Sequence, residues 1–125
     1  MQPVWMGIVP GPLATRVLVV DGLPHTLLTA RLPHTPRHPR AVATLAESLA
    51  LWVGRRVHVA LAAAGPGSFC ATTGWLDTFE AVTRPQPLVA ITCVAHDVVP
   101  ADPRPGEGLG DFEDVRALLR RTVAR

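Results

Sequence analysis

The chain contains no lysine and no tyrosine, and each absence excludes a class of chemistry. Without lysine the protein cannot form a Schiff base, use a Ser–Lys dyad or build a lysine-containing phosphate loop. Without tyrosine it has no phenol that could act as an acid or a nucleophile. All 12 basic side chains are arginine, and against 10 acidic ones they leave a net charge of +2. This charge is too small to indicate a nucleic-acid partner by itself.

Cysteine is scarce. Cys70 and Cys93 are far apart in the sequence, so they form no Cys-x-x-Cys pair of the kind found in zinc ribbons and redox sites. Both lie in apolar stretches, and we expect two buried free thiols. His34 and His38 have the spacing of a helical metal site, but prolines interrupt that segment. The sequence therefore predicts no metal and no cofactor.

Long apolar runs are also missing. No run approaches the roughly 18 to 20 residues that cross a bilayer, so we expect no membrane partner. The N-terminus has no basic region before its short apolar stretch, which argues against a secretory signal and favours the cytoplasm. The 125 residues, 48% of them hydrophobic, suffice for one core, so we expect one domain over residues 1–125.

The first third of the chain predicts an antiparallel meander of three strands. Val4–Val9 is short and apolar, and Thr15–Val20 is rich in β-branched residues. Asp21-Gly22 is a strong signal for a tight hairpin turn. His25–Leu32 follows as the third strand.

A helix follows this meander. Pro39 suits its first turn and Gly54 suits the position after its last turn. Between them the large apolar residues recur every three to four positions, which places them on one inward face. That face is expected to consist of Val42, Leu45, Leu49, Trp52 and Val53.

The remaining segments predict strands alternating with helices. Arg56–Ala63 is a strand, and Thr73–Val82 is a short helix. Leu88–Ala95 is a nearly continuous apolar run, typical of a strand covered on both faces. The last helix is expected from Asp111 to Ala124, after a loop rich in proline and glycine.

The resulting order of elements resembles the ribonuclease H-like superfamily, which includes Holliday-junction resolvases, and it also resembles one half of the sugar-kinase and actin-like ATPases. The segment Met6–Gly11 is similar to the opening of resolvases, in which a strand ends in Ile-Asp-Pro-Gly. The segment Asp111–Leu118 is similar to their last helix, which carries two aspartates three positions apart. The resemblance implies an α/β fold with a mixed five-stranded sheet flanked by helices.

The resemblance also implies a metal site that this sequence cannot complete. Nucleases of this kind need several carboxylates around one or two magnesium ions. At the end of strand one this chain has Val9, and near the end of strand four it has Ala62–Ala64. Asp111 and Asp114 match by position, but a helix N-cap and a favourable place near the helix dipole explain both equally well.

Basic residues cluster before the first helix. Arg31, Arg37 and Arg40 lie within ten positions of one another. Such a group can contact phosphates or an acidic partner, although no aromatic residue interleaves with it to stack on bases.

Three functional hypotheses follow. The first is a catalytically inactive ribonuclease H-like module that binds a partner, which is a second copy, another protein or nucleic acid. The second is a magnesium-dependent nuclease or resolvase with a displaced acid set drawn from Asp21, Asp97, Asp111 and Asp114. The third is a structural homodimer that pairs through Trp5 and the apolar N-terminal strand.

Overall fold

The computed structural model describes residues 3–10, 14–21, 25–33, 38–64, 74–95 and 113–123. They form five strands and three helices in the order β, β, β, α, β, α, β, α. The strands are β1 (Val4–Val9), β2 (Ala14–Val20), β3 (Thr26–Pro33), β4 (Val57–Ala64) and β5 (Val89–Ala95). The helices are α1 (His38–Val53), α2 (Trp75–Thr83) and α3 (Glu113–Val123).

The five strands form one mixed sheet in the order β3-β2-β1-β4-β5. The meander β1, β2 and β3 is antiparallel, whereas β4 runs parallel to β1 and β5 runs parallel to β4. The helices between β3 and β4 and between β4 and β5 make these parallel pairings feasible, because parallel neighbours need a crossover connection. The predicted order of elements and the mixed five-stranded sheet are confirmed.

Helices α1 and α2 cover one side of the sheet. Alternate residues of β1, β2 and β4, such as Met6, Val17 and Val59, are buried against them, as expected for strands with one face toward this layer. The rings of Trp75 and Phe79 stack with their centroids 5.3 Å apart inside this core.

Helix α3 covers the other side. Its residues Val115, Leu118 and Leu119 are buried with Leu18 and Val20 of β2 and with residues of β1 and β4. Across this side, Arg116 Nη2 donates a hydrogen bond to Thr26 Oγ1 of β3 over 2.6 Å. These three residues form the inward face of the helix. The helix begins at Glu113, and Asp111 lies outside the described residues.

The predicted position of Trp52 is wrong, because this side chain is 81% exposed. Small residues define the buried face of α1, which consists of Val42, Ala43, Ala46, Leu49 and Ala50. At 3.6 residues per turn, Trp52 lies about a third of a turn away from the middle of that face. Counting only the large apolar residues therefore rotated the predicted face.

The prediction that β5 is covered on both faces is wrong as well. It is the last strand of the sheet, and Ala90 and Thr92 are exposed on the side where α3 covers mainly the central strands. Cys93 is exposed too, which contradicts the expected buried thiol; Cys70 lies outside the described residues. None of the three helices that the structure describes is long and apolar enough to cross a bilayer.

Candidate functional site

The carboxyl end of β1 is the natural place for a site in this sheet. The parallel strands β1 and β4 end there together, and ligands of α/β sheets bind outside the carboxyl ends of parallel strands. Ile8 of β1 is paired with Leu61 of β4, so the next residues, Val9 and Ala62, are neighbours. On its other side Val9 is paired with Arg16 of the antiparallel strand β2.

Apolar residues fill the α3 side of this strand end. Val9 is 2% exposed and Ala62 is 1% exposed, and they belong to one cluster with Ala60 and with Val115 of α3. Val115 is in the first turn of its helix, so the packing ties the start of α3 to the sheet.

Among the residues whose burial the structure describes, Arg16 is the one charged side chain that is buried, and it is 1% exposed. Alternation along β2 places it on the same side of the sheet as Leu18 and Val20, which is the side that α3 covers. Directly opposite residues of an antiparallel pair have Cβ atoms about 4.5–5.5 Å apart, so the stem of Arg16 lies beside Val9.

A second arginine lies next to the first. Arg31 of β3 is paired with Arg16, and it is exposed. The carboxyl end of β1 thus has an apolar floor, a buried arginine on β2 and an exposed arginine on the neighbouring edge strand.

Two solved structures have this architecture. The Thermus thermophilus protein RuvC in complex with a Holliday junction substrate superposes with a TM-score of 0.57 at 14% identity, covering 97% of this chain and 96% of that one. A second Thermus thermophilus RuvC structure gives a TM-score of 0.53 at 13% identity, covering 96% of both chains. The fold is ribonuclease H-like. No protein-family model matches the chain, and no curated protein matches its sequence.

The ribonuclease H-like fold implies a magnesium site, and the residues of this chain do not fit one at the carboxyl end of β1. Magnesium takes oxygen ligands, chiefly carboxylates and water. The side chains of Val9, Ala62 and Val115 carry no oxygen, and their close packing leaves the strand end apolar. Among the described residues, no group of three or more histidine, cysteine, aspartate or glutamate side chains could hold a metal ion.

The described part of this ribonuclease H-like domain does not bring the candidate metal-binding aspartates together. The structure describes the helical backbone of Asp114, which directly precedes Val115, while Asp97 and Asp111 lie outside the described residues. Asp21 follows β2 at the opposite end of the sheet, since Val20 is paired with Trp5 and not with Val9. The four residue steps from Trp5 to Val9 span about 13 Å, so Asp21 cannot belong to a metal site at Val9.

Asp21 instead forms an ion pair with Arg55, which lies between α1 and β4. The guanidinium donates to Oδ1 over 3.2 Å and its Nη2 is 3.1 Å from Oδ2. This hydrogen-bonded pair, with the charges of Arg55 and His25, lowers the pKa of Asp21 against a smaller opposing effect of burial. The pair joins the residue that follows β2 to the segment that precedes β4, which is a structural role.

The predicted basic residues occupy different layers. Arg31 lies on the α3 side of the sheet, whereas Arg40 is exposed on α1, which packs on the other side. Arg37 lies outside the described residues. Their contacts with phosphates or a partner stay a prediction.

Sequence reasoning missed Arg16. The signal was present, because Arg16 alternates with Val17 and shares the parity of Leu18 and Val20 in a strand that is otherwise apolar. An arginine at an inward position of such a strand is unusual, since charged residues are almost never fully buried unless they are paired.

Proposed function

We propose that this ribonuclease H-like domain does not cleave nucleic acid and works by binding. The observation that carries the proposal is the composition of the carboxyl end of β1, where Val9, Ala62 and Val115 pack in one apolar cluster. The resemblance to nucleases puts metal-binding carboxylates at this place, and without the metal no water is activated for attack on a phosphodiester. In this proposal the domain is a pseudoenzyme, which keeps a binding surface of the fold but does not catalyse cleavage.

A phosphate backbone is the partner class that the charges favour. The sequence pI is about 9.0 and every basic residue is an arginine, a side chain whose planar fork matches phosphate oxygens. Arg31 is exposed at the same end of the sheet as Val9. The similar RuvC structure was solved with a Holliday junction substrate, which makes a branched duplex the first ligand to test.

Cleavage is tested with four-way junctions, plain duplexes and RNA–DNA hybrids in about 10 mM magnesium or manganese, with an active resolvase as the positive control. We expect no product above the level seen with EDTA, because the apolar strand end cannot hold the metal. Metal-dependent cleavage that disappears in Asp114→Asn would establish the alternative, a nuclease with a displaced acid set.

Binding is tested by fluorescence anisotropy in EDTA as a function of salt. We expect Arg31→Ala to weaken binding several-fold and to reduce the slope of log affinity against log salt by about 1, as for the loss of one phosphate contact. The matched control is Arg84→Ala, since Arg84 is exposed just after α2, at the end of the sheet far from Val9. Equal effects of the two substitutions would show that the contact is not at this end.

A homodimeric scaffold is the second candidate, and the edge of the sheet favours it. Strand β3 is the last strand on its side among the described residues, and Leu27 and Leu28 on it are 47% and 36% exposed. An exposed edge with apolar side chains is a template for pairing with another strand. Trp5, by contrast, is half-buried and packs edge-on against His58 with the ring centroids 4.8 Å apart, so it is a weaker candidate for the interface.

The oligomeric state decides this second candidate. A dimer in sedimentation velocity that dissociates in Leu27→Lys would support pairing through β3, and Leu51→Lys, at an exposed residue of α1, is the control. A monomer at about 100 μM would count against a scaffold, because a functional dimer needs a Kd below its working concentration. The cytoplasmic location and the single domain over residues 1–125 stay predictions.

A further inference from the structure

Trp52, in the last turn of α1, is a large apolar side chain that faces water. It is 81% exposed, and its neighbour Leu51 is 71% exposed. No other tryptophan or phenylalanine of the described residues is exposed, since Trp5 is half-buried and Trp75 and Phe79 are buried. An exposed leucine is common in proteins, but a large ring beside it makes an apolar patch that no part of the chain covers.

A second exposed segment, residues 84–88, lies beside the end of α1. It follows α2 and leads into β5, as residues 51–56 lead into β4. The two segments are adjacent, because Val57 N donates a hydrogen bond to Leu88 O over 2.8 Å and Val57 is paired with Val89. Their exposed side chains form what we call the amino-end surface, which consists of Leu51, Trp52, Arg56, Arg84, Pro85 and Pro87.

The exposed charges of the amino-end surface have one sign. Neither segment contains an acidic residue, and the two exposed charged side chains are Arg56 and Arg84. A third arginine, Arg55, is paired with Asp21. Cations after the last turns of α1 and α2 are favourable for the helix dipoles. The dipoles account for the arginines but not for the exposure of Trp52.

We propose that the amino-end surface docks an acidic segment of another protein. An apolar side chain of that segment packs on Trp52, and its carboxylates pair with Arg56 and Arg84. Tryptophan and arginine are enriched among the residues that dominate the affinity of protein interfaces. Charges of opposite sign speed the encounter and select the partner.

Other occupants fit this surface less well. A second copy docked about a two-fold axis places the surface against itself, so that arginines meet arginines. Single-stranded nucleic acid is held by bases stacked on successive aromatic side chains, and this surface has one such ring. An anionic bilayer is recognised by clusters of about four to eight basic residues, whereas two arginines are exposed here.

The inference goes beyond the proposed function, which concerns nucleic acid at the carboxyl end of β1, at the other end of the sheet. A chain that fails to bind nucleic acid would overturn the proposed function and leave the docking of a peptide unaffected. A chain that docks no acidic peptide would leave the role of Arg31 unaffected.

The first experiment finds the chemistry of the ligand with a peptide library. Random peptides of roughly 12 residues, about 18 Å long as a helix, are displayed on phage and selected against the full chain. The Trp52→Ala/Arg84→Ala chain is used for counter-selection. We expect the enriched peptides to combine several aspartates or glutamates with one or two large apolar residues. Enrichment of basic or uncharged sequences, or no enrichment beyond that on the variant, would overturn the proposal.

The second experiment measures the effect of each side chain by fluorescence anisotropy with an enriched acidic peptide. We expect Trp52→Ala to weaken binding about tenfold or more, as for an interface hot spot. Arg56→Ala and Arg84→Ala should each weaken it about two- to fivefold, the range of exposed charge pairs. Binding should also weaken in salt, and this dependence should disappear when the acids of the peptide are replaced by their amides.

The matched control for these arginines is Arg40→Ala. Arg40 is exposed in the first turn of α1, about 18 Å along the helix axis from Trp52. This variant should bind the peptide as the wild type does. Equal losses in Arg40→Ala and Arg84→Ala would show that the peptide responds to net charge alone, and the docking surface would be refuted.

Three further measurements decide between classes of partner. Wild type and Trp52→Ala are compared for binding to an oligothymidine of about 30 nucleotides, long enough for two sites of the usual size. They are also compared for binding to vesicles that contain phosphatidylserine and for self-association in sedimentation velocity. We expect no difference between the two proteins in any of the three. Binding or self-association that is lost in Trp52→Ala would assign the surface to that partner and overturn the proposal. If circular dichroism shows that Trp52→Ala is unfolded, Leu51→Ser takes its place in every comparison.

Discussion

Val115 of α3 occupies the space that a side chain at Gly7 of β1 would need. A Cβ added to Gly7 would lie 2.7 Å from Val115 Cγ1 and 3.1 Å from Leu119 Cγ. Real Cβ atoms essentially never lie as close as 2.7 Å to another heavy atom, and the 3.1 Å contact is tighter than most. Gly7 lies in the middle of a strand. The glycine therefore permits the close approach of helix and sheet that buries the apolar cluster beneath α3.

Gly7→Ala should destabilise the protein by about 1–3 kcal/mol, the usual cost of overpacking a core. Urea unfolding measures this change. The rescue variant is Gly7→Ala/Val115→Ala, in which the clashing methyl groups are removed. If its free energy of unfolding falls by the full sum of the two single changes, the substitutions are independent and the contact does not limit the approach of α3.

The two tryptophans of the helical layer provide a matched pair. Trp75→Ala should cost about 3–5 kcal/mol, because this side chain is 2% exposed and stacks on Phe79. Trp52→Ala should change stability by less than about 0.5 kcal/mol, because its ring is exposed. If urea unfolding gave similar losses of stability for the two variants, Trp52 would be buried as the sequence pattern predicted.

The ion pair between Asp21 and Arg55 predicts acid sensitivity at one end of the sheet. Because the folded state lowers the pKa of Asp21, the pair stabilises the fold above the unfolded carboxyl pKa of about 3.9 and loses this effect as the pH falls through the folded value. Wild type should therefore exceed Asp21→Asn in stability at pH 7, with a difference that shrinks below about pH 4 and weakens in salt.

The control for this prediction is an Arg55→Met background, in which Asp21→Asn should have a smaller effect at pH 7. Thermal unfolding of the four proteins gives the coupling between the two side chains. Additive effects would show that the pair does not contribute to stability.

Cys93 should react with a thiol reagent in the folded protein, since it is exposed. Partial desolvation and the charge of Glu80 raise the pKa of the thiol above its ordinary value, so the rate should keep rising with pH beyond pH 9 and should increase modestly in Glu80→Gln. The measurement uses a Cys70→Ser chain, so that one thiol reports. A thiol that reacts only after unfolding would restore the original expectation of a buried cysteine.

Most of the elements could be predicted from the sequence because their signals are local. The β-branched run of β2 and the bracketing of α1 by Pro39 and Gly54 depend on the conformations of a few neighbouring residues, while Gly22 of the predicted turn lies outside the described residues. Each predicted strand and helix that the structure describes is present, with ends that move by one or two residues. Strand pairing followed from the order of the elements, since a short hairpin pairs antiparallel and a helical crossover pairs parallel.

Exposure could not be predicted in the same way, because it depends on which elements cover a residue. Trp52 has the spacing of a core residue. The alanines of α1 form the buried face of the helix, however, so the side chain of Trp52 is exposed. Cys93 lies in an apolar strand, yet that strand is at the edge of the sheet. Burial is a property of the assembled layers, and two faces of one element look alike in sequence when both carry apolar residues.

At the candidate site, too, residue chemistry could be read from the sequence, whereas burial depended on the tertiary structure. The sequence by itself determined that Val9 and Ala62 offer no oxygen to a metal, because side-chain chemistry does not depend on the fold. Only the tertiary structure decided that these residues are neighbours and that Arg16 is buried beside Val9. Alternation along β2 put Arg16 on one side of the strand, but the docking of α3 on that side is a long-range event that no local pattern encodes.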